Sequence, residues 1–437
     1  MKQKAAFSWI AGLGVSLTAC VTTSVVAWAQ QEQLSTTEKI DFERAKELFQ
    51  KRQKGEKLTA DEEAYVRRAQ AARQNSQNPS KPNEPAAAPG EKIDFDRARQ
   101  LFQKSQNGGK LTEDEEAYLR KAMAARQGTE TPAAPAPREK TGLVPLIEMS
   151  SKDRYQGEDG GLYGDGQNSP PAAHEKDAQT ELSRIRPLDA NGEPAANGRI
   201  VFVSISMSNA TQEFSRFKQL ADADSDKSAK VTIVDCAQGG QAMAEWAPAD
   251  ARPWSVAEQA LARAGVSPKQ VQVAWIKLAN KGPSGALAVH GKKLEQDTQS
   301  VIQNAKARFP NLRIAYLSSR IYAGYAANAL NPEPFAYESA FVARWLIQGQ
   351  IRGNAALNYA ADQGAVKAPL LLWGPYLWAD GTSPRKSDQL VYTRDDLAGD
   401  GTHPSEAGRT KVARLMLNFY KTDTLAKQWF LGTADER

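Results

Sequence analysis

Between Arg199 and Tyr420, short apolar runs rich in β-branched residues alternate with stretches of helical periodicity. This pattern constrains the chain more than any other feature it has. The runs are Arg199 to Ile205, Val231 to Val234, Val271 to Ile276, Arg313 to Leu317 and Pro369 to Trp373. They are too short for helices and too continuously apolar for a one-sided sheet, so each predicts a strand buried on both faces. Helices are predicted over Thr211 to Ala221, Val256 to Ala264, Leu294 to Arg308, Ala336 to Gln348 and Ser405 to Tyr420. Strands that alternate with helices imply a parallel sheet of about five strands with helices on both sides, a three-layer α/β/α domain. Such sheets bind ligands beyond the carboxyl ends of their strands, and the polar residues just after each run are the ones to weigh.

The chain ahead of this domain is built differently. Residues 38–74 return as residues 91–127 with most positions unchanged, including the opening Glu-Lys-Ile-Asp-Phe and the closing Ala-Ala-Arg-Gln. In each copy an apolar stripe (Phe42, Ala45, Leu48, Phe49; Phe95, Ala98, Leu101, Phe102) precedes a glycine break. A Thr-x-x-Glu capping box follows, Thr59 to Glu62 and Thr112 to Glu115. Two α-helical hairpins are expected, with residues 75–90 and 128–139, rich in Pro and Ala, as linkers and the large domain over 140–437. The hairpin loops lack the spaced Asp/Asn ligands of a calcium loop. They read as spacers or as a contact with the cell envelope. At the amino terminus Lys2 and Lys4, an apolar run and Ala27-Trp28-Ala29 make residues 1–29 an expected signal peptide, cut before Gln30. Leu17 to Cys20 offers the alternative of a lipid anchor on Cys20. An exported protein, periplasmic or extracellular and without a transmembrane span after processing, is the expectation.

Composition removes several classes of function. Two cysteines, Cys20 and Cys236, exclude a disulfide scaffold or a cysteine-rich zinc module. Three scattered histidines, His174, His290 and His403, argue against a histidine metal cluster, so no metal and no cofactor is expected. The net charge of +5 comes from 56 basic and 51 acidic residues that alternate along the chain, which leaves no basic stripe for nucleic acid. Once a leader is removed Cys236 stands alone, and a buried thiol is expected.

The polar residues at the strand ends carry the chemistry. Ser206, Met207 and Ser208 follow the first run, Asp235 to Gly240 the second and Asn280 the third, while Asp400-Gly-Thr-His403-Pro-Ser405 opens the last helix. A serine hydroxyl needs a base to take its proton; His403 is a candidate, and Asp400 three residues earlier can hold its Nδ1–H. Singly, each residue has a plainer role: Ser208 a helix cap, Asp400-Gly401 a turn, His403 a surface side chain, Gly240 a post-strand turn. In this order they resemble the SGNH (GDSL-like) hydrolase family, over roughly Gly198 to Tyr420. The family's Gly-Asp-Ser reads Ser206-Met207-Ser208, and its Gly-x-Asn-Asp reads Leu278-Ala279-Asn280-Lys281. The resemblance implies a flavodoxin-like sheet, a Ser208, His403, Asp400 triad, and an oxyanion hole from the N–H groups of Ser208 and Gly240 with the Asn280 amide. Ser204 and Ser206 are the competing nucleophiles. Ser204 lies within the apolar run and Ser206 takes the place of the family's glycine.

Two further expectations concern the substrate. Trp373, Tyr376 and Trp378 follow the fifth run and are candidates for a sugar-stacking platform, or for core. The turn-rich segment Asp153 to Tyr163 is a flap over the site or a wrap on the domain surface. The leading function is therefore an exported serine ester hydrolase acting on a small ester or an acetylated saccharide, a carbohydrate acetylesterase among them. The alternative, prompted by the altered serine and asparagine blocks, is a catalytically degenerate module that binds a polysaccharide or envelope component.

Overall fold

The computed structural model describes residues 136–432 and, ahead of them, Leu48, Lys51, Thr59, Glu62, Tyr65, Glu115 and Tyr118. The chain divides into two compact units, Met1–Lys92 and Ile93–Arg437. In the first unit Thr59 and Glu62 form the reciprocal cap that their spacing predicts. The Thr59 N–H donates to Glu62 Oε2 (2.8 Å) and the Glu62 N–H to Thr59 Oγ1 (3.3 Å). The leader, Cys20 and the remainder of the hairpins and linkers lie outside the described residues.

Five parallel strands form one sheet in the order β2-β1-β3-β4-β5: β1 Ile200–Ile205, β2 Val231–Asp235, β3 Val271–Lys277, β4 Ile314–Ser318 and β5 Leu370–Trp373. Every residue of β1, β3, β4 and β5 is buried, as their unbroken apolar runs require. Eight α-helices accompany them within residues 136–432: α1 Ala172–Leu182, α2 Ser208–Asp222, α3 Met243–Trp246, α4 Arg252–Arg263, α5 Leu287–Arg308, α6 Phe335–Ile351, α7 Glu406–Thr422 and α8 Lys427–Phe430. Helices α2 and α7 cover one face, while α4 and α6 pack on the other, with α5 against α6. The result is the three-layer α/β/α arrangement expected from the alternation.

Register explains the aromatic core beneath α2 and α7. Ser204 pairs with Trp275 and Trp275 with Tyr316, so Phe202, Trp275 and Tyr316 project to the same side. Phe202 meets Phe214 of α2 (5.2 Å between ring centroids), Tyr420 of α7 (5.0 Å) and Trp429 of α8 (5.2 Å), and Trp275 stacks on Phe214 (5.6 Å). Rings of this size each bury about 150–250 Å², which makes this cluster the anchor of α2.

Some boundaries differ from the sequence reading. Helix α2 starts at Ser208, three residues before Thr211, because nothing in its first turn breaks a helix. Helix α5 starts at Leu287 and so carries His290. Helix α1 was not expected, since its sequence is mostly polar. It buries His174, Ala178, Glu181 and Leu182, and His174 bonds through Nε2 to the Leu371 carbonyl (2.8 Å). The segment Asp153 to Tyr163 is a wrap rather than a flap. Arg344 of α6 holds it through Glu158 (2.5 Å) and Asp159 (3.0 Å), and Trp373 Nε1 donates to the Leu162 carbonyl (2.7 Å).

Candidate active site

Strand order puts the candidate residues together. The chain leaves β1 toward β2 on one side and later fills β3 on the other, so the crevice of the sheet lies at the carboxyl ends of β1 and β3. Ser208 follows β1, Gly240 follows β2 and Asn280 follows β3.

Ser208 is the first residue of α2, and the residue that occupies the cap position is Met207, whose side chain makes no cap hydrogen bond. The Ser208 hydroxyl is therefore not consumed in capping, which corrects the plain reading of it as a helix cap. It meets His403 Nε2 at 2.7 Å. His403 Nδ1 lies 2.5 Å from Asp400 Oδ2, and a proton held there leaves Nε2 as an acceptor for the serine O–H. Asp400 Oδ1 accepts the backbone N–H groups of Thr402 and His403, both at 3.0 Å. Partial burial pushes the Asp400 pKa up, but the hydrogen bonds from the His403 backbone and ring and from Thr402 outweigh it, and the group sits below the usual carboxylate range. The loop depends on Gly401, at φ +65°, where a Cβ would stand 1.8 Å from the Tyr325 carbonyl oxygen. Asn209, buried beside Ser208, donates to the Thr402 carbonyl (2.9 Å) and so ties the serine to the histidine loop. Nothing in the sequence distinguishes Asn209 from an ordinary helical asparagine.

The competing serines are otherwise engaged. Ser206 is fully buried and donates to the Lys277 carbonyl (2.5 Å), and Ser204 donates to Asp235 (2.5 Å). Asp235 also accepts the hydroxyls of Thr211 (2.5 Å) and Ser215 (2.6 Å), so it pins α2 to β1 and β2. Near His403, Lys277 and Glu213 form a wholly buried pair with contacts of 2.5 and 2.7 Å. Burial drives Glu213 upward and Lys277 down to about 8, and the two-pronged contact between them favours the ionised pair. Arg320, after β4, is 2% exposed, and its Nε and Nη2 have no hydrogen-bond partner among the described residues.

Three N–H groups are candidates for an oxyanion site. That of Ser208 opens a 15-residue helix and, like that of Gly240, donates to no acceptor among the described residues. Gly240 stands at φ +74°, and its carbonyl accepts from Lys281 Nζ (3.0 Å), the neighbour of Asn280. The Gln238 N–H donates to the Ser206 carbonyl (2.9 Å), and the Met243 N–H to that of Ala279 (3.0 Å). The loops after β1, β2 and β3 are thus laced together. Asn280 is half-buried: its Oδ1 accepts the Ala244 N–H (2.9 Å), and its Nδ2 donates to Asp297 Oδ2 (2.6 Å).

The aromatic platform is not there. Trp373, Tyr376 and Trp378 are 5%, 7% and 0% exposed, and their polar atoms bond to Leu162, Leu146 and Glu333. They are core residues: Trp373 and Tyr376 lie under the 143–163 wrap, and Trp378 packs against Tyr322 and Tyr337. Cys236 is buried, and burial pushes its thiol pKa up. Among the described residues no group of three or more His, Cys, Asp or Glu side chains is placed to hold a metal ion, and no helix is long and apolar enough to cross a membrane.

No family model and no curated protein matches the chain. Several solved structures are similar to it. A protein from Slackia heliotrinireducens assigned as an SGNH hydrolase is 18% identical over 51% of this chain and 99% of its own, with a TM-score of 0.29. An assigned acylhydrolase from Bacteroides fragilis NCTC 9343 is 13% identical over 59% of this chain and all of its own, with a TM-score of 0.31. The periplasmic domain of a lipopolysaccharide acetyltransferase from Salmonella ser. Paratyphi A is 12% identical over 57% of this chain and 97% of its own, with a TM-score of 0.28.

Proposed function

We propose that the carboxy-terminal domain is a serine ester hydrolase of SGNH type, working through an acyl-enzyme on a small ester. The observation that carries the reading is the continuous line from Ser208 Oγ through the His403 ring to Asp400, with contacts of 2.7 and 2.5 Å. In this mechanism His403 Nε2 takes the Ser208 proton as Oγ attacks the ester carbonyl, and Asp400 stabilises the imidazolium that forms. In this reading the N–H groups of Ser208, Gly240 and Asn280 receive the negative charge that the carbonyl oxygen gains. The imidazolium returns its proton to the departing alcohol. Water, activated by the same base, then frees the acid and restores the serine. Asp400 suits its part: a carboxylate held below the usual range stays ionised and keeps the imidazole in one tautomer.

The substrate class in this reading is a small ester or an acetylated saccharide met outside the cell, after export directed by residues 1–29. With the aromatic platform absorbed into the core, the saccharide rests on the export signal alone. Fluorophosphonate labelling with mass mapping tests the chemistry: labelling at Ser208 that Ser208→Ala abolishes is expected. A folded protein that neither labels nor turns over esters would support a binding module instead. Mass spectrometry of the mature chain tests export, with a start at Gln30 expected; an acylated Cys20 would indicate a lipoprotein.

A further inference from the structure

We propose that Asp297 is a positioning residue that fixes the Asn280 carboxamide as an oxyanion donor; the proposal rests on the serine-hydrolase reading above. Asp297 projects from the middle of α5, seventeen residues after Asn280, and is 7% exposed. Its Oδ2 accepts one Asn280 Nδ2–H at 2.6 Å, while Asn280 Oδ1 accepts the Ala244 N–H at 2.9 Å. Together these two contacts allow only one orientation of the amide. Turned over, the carboxamide would set its oxygen against a carboxylate and its NH₂ against a backbone N–H, so acceptor would face acceptor and donor would face donor. The second Nδ2–H meets no acceptor among the described residues and remains for the substrate.

The backbone of Asn280 is held as firmly. Its carbonyl accepts from Asn331 Nδ2 (3.1 Å), and the preceding carbonyl, of Ala279, accepts the Met243 N–H (3.0 Å). A carboxylate beside a developing oxyanion has a Coulombic cost. Here Lys293, one turn earlier on α5, pairs with the other Asp297 oxygen and offsets that charge. The arrangement holds a flexible amide in one pose before substrate arrives, and preorganised donors are the ones that count in the transition state.

The test is the kinetics of 4-nitrophenyl acetate hydrolysis by the full-length protein. Asp297→Ala should lower kcat by about 10- to 100-fold with KM nearly unchanged, less than the about 10²–10³-fold typical of losing an oxyanion donor outright. Asp297→Asn, which keeps an acceptor oxygen, should recover part of that loss. In an Asn280→Ala background Asp297→Ala should change kcat by less than about twofold, since the group it positions is gone. A purely structural role would give the same loss in both backgrounds, and that result would overturn the proposal. Wild-type kcat in a folded Asp297→Ala, or in Asp297→Asn should Asp297→Ala fail to fold, would overturn it as well. Ser208→Ala separates the two levels of the argument. An inactive Ser208→Ala beside a fully active Asp297→Ala removes the positioning role alone, whereas an active Ser208→Ala removes the serine mechanism and the proposal with it.

Discussion

Asp400→Asn isolates the role of one charge in an otherwise unchanged loop. The carboxamide is nearly the same shape as the carboxylate, and its orientation decides the outcome. With its oxygen toward the backbone it keeps both acceptor contacts, from the N–H groups of Thr402 and His403 at 3.0 Å. Its NH₂ then faces His403 Nδ1, 2.5 Å from the present Oδ2, and can only donate. Turned over, it would set an NH₂ against two backbone donors and forfeit two hydrogen bonds, at about 1–3 kcal/mol for each group left unsatisfied. The first orientation wins, and it moves the imidazole proton from Nδ1 to Nε2. A protonated Nε2 cannot take the Ser208 proton. A wrong-tautomer triad of this kind loses about 10⁴ in kcat, roughly 5 kcal/mol of transition-state stabilisation. Steady-state hydrolysis of 4-nitrophenyl acetate measures this directly, with KM expected to change little, and circular dichroism verifies the fold. A folded Asp400→Asn protein within tenfold of wild-type kcat would refute the reasoning. The same substitution has a pH signature. Because the Asp400 pKa is lower folded than unfolded, its stabilisation is present above the ordinary carboxylate value of about 4 and lost as pH falls through the folded value. The Tm advantage of wild type over Asp400→Asn should therefore shrink on acidification below about pH 4.

Four further outcomes follow from the same geometry. Ser208→Ala and His403→Ala should each lower kcat by about 10⁶-fold and the double variant no further, since the two act as one unit; additive losses on 4-nitrophenyl acetate would contradict that. Lys277→Met leaves Glu213 buried and uncompensated and should cost about 3–5 kcal/mol in urea unfolding, whereas Lys277→Met with Glu213→Leu should recover most of it. Gly401→Ala places a Cβ on the Tyr325 carbonyl at a positive φ; the loop must shift, and kcat should fall with at least about 1–3 kcal/mol of strain to be seen in unfolding. Cys236, buried and with its thiol pKa raised, should ignore Ellman's reagent in the native protein and react once it is denatured.

The sequence alone determines the layered sheet. A run such as Ile-Val-Phe-Val-Ser-Ile has no polar face to offer water, and helices of one-sided periodicity between such runs can only cover them on both sides. It also determines Ser208, Asp400 and His403 as candidates, because their chemistry is tied to short local spacings and to the ends of strands. Tertiary structure decided what local pattern cannot carry. Whether Trp373 and Tyr376 face solvent depends on a wrap that arrives from more than two hundred residues earlier in the chain and bonds to both, while Trp378 is enclosed by Tyr322, Glu333 and Tyr337. Whether Ser208 caps its helix or meets a base depends on a loop 195 residues away. Asp297 and Asn209 carry no motif at all. An acidic residue in a helix is ordinarily solvated, and Asp297 meets Asn280 only because packing brings α5 against the loop after β3 and the short helix α3 after β2. Residue type and spacing thus report the groups that react, while the groups that hold them are chosen by packing, which joins positions that no sequence interval relates.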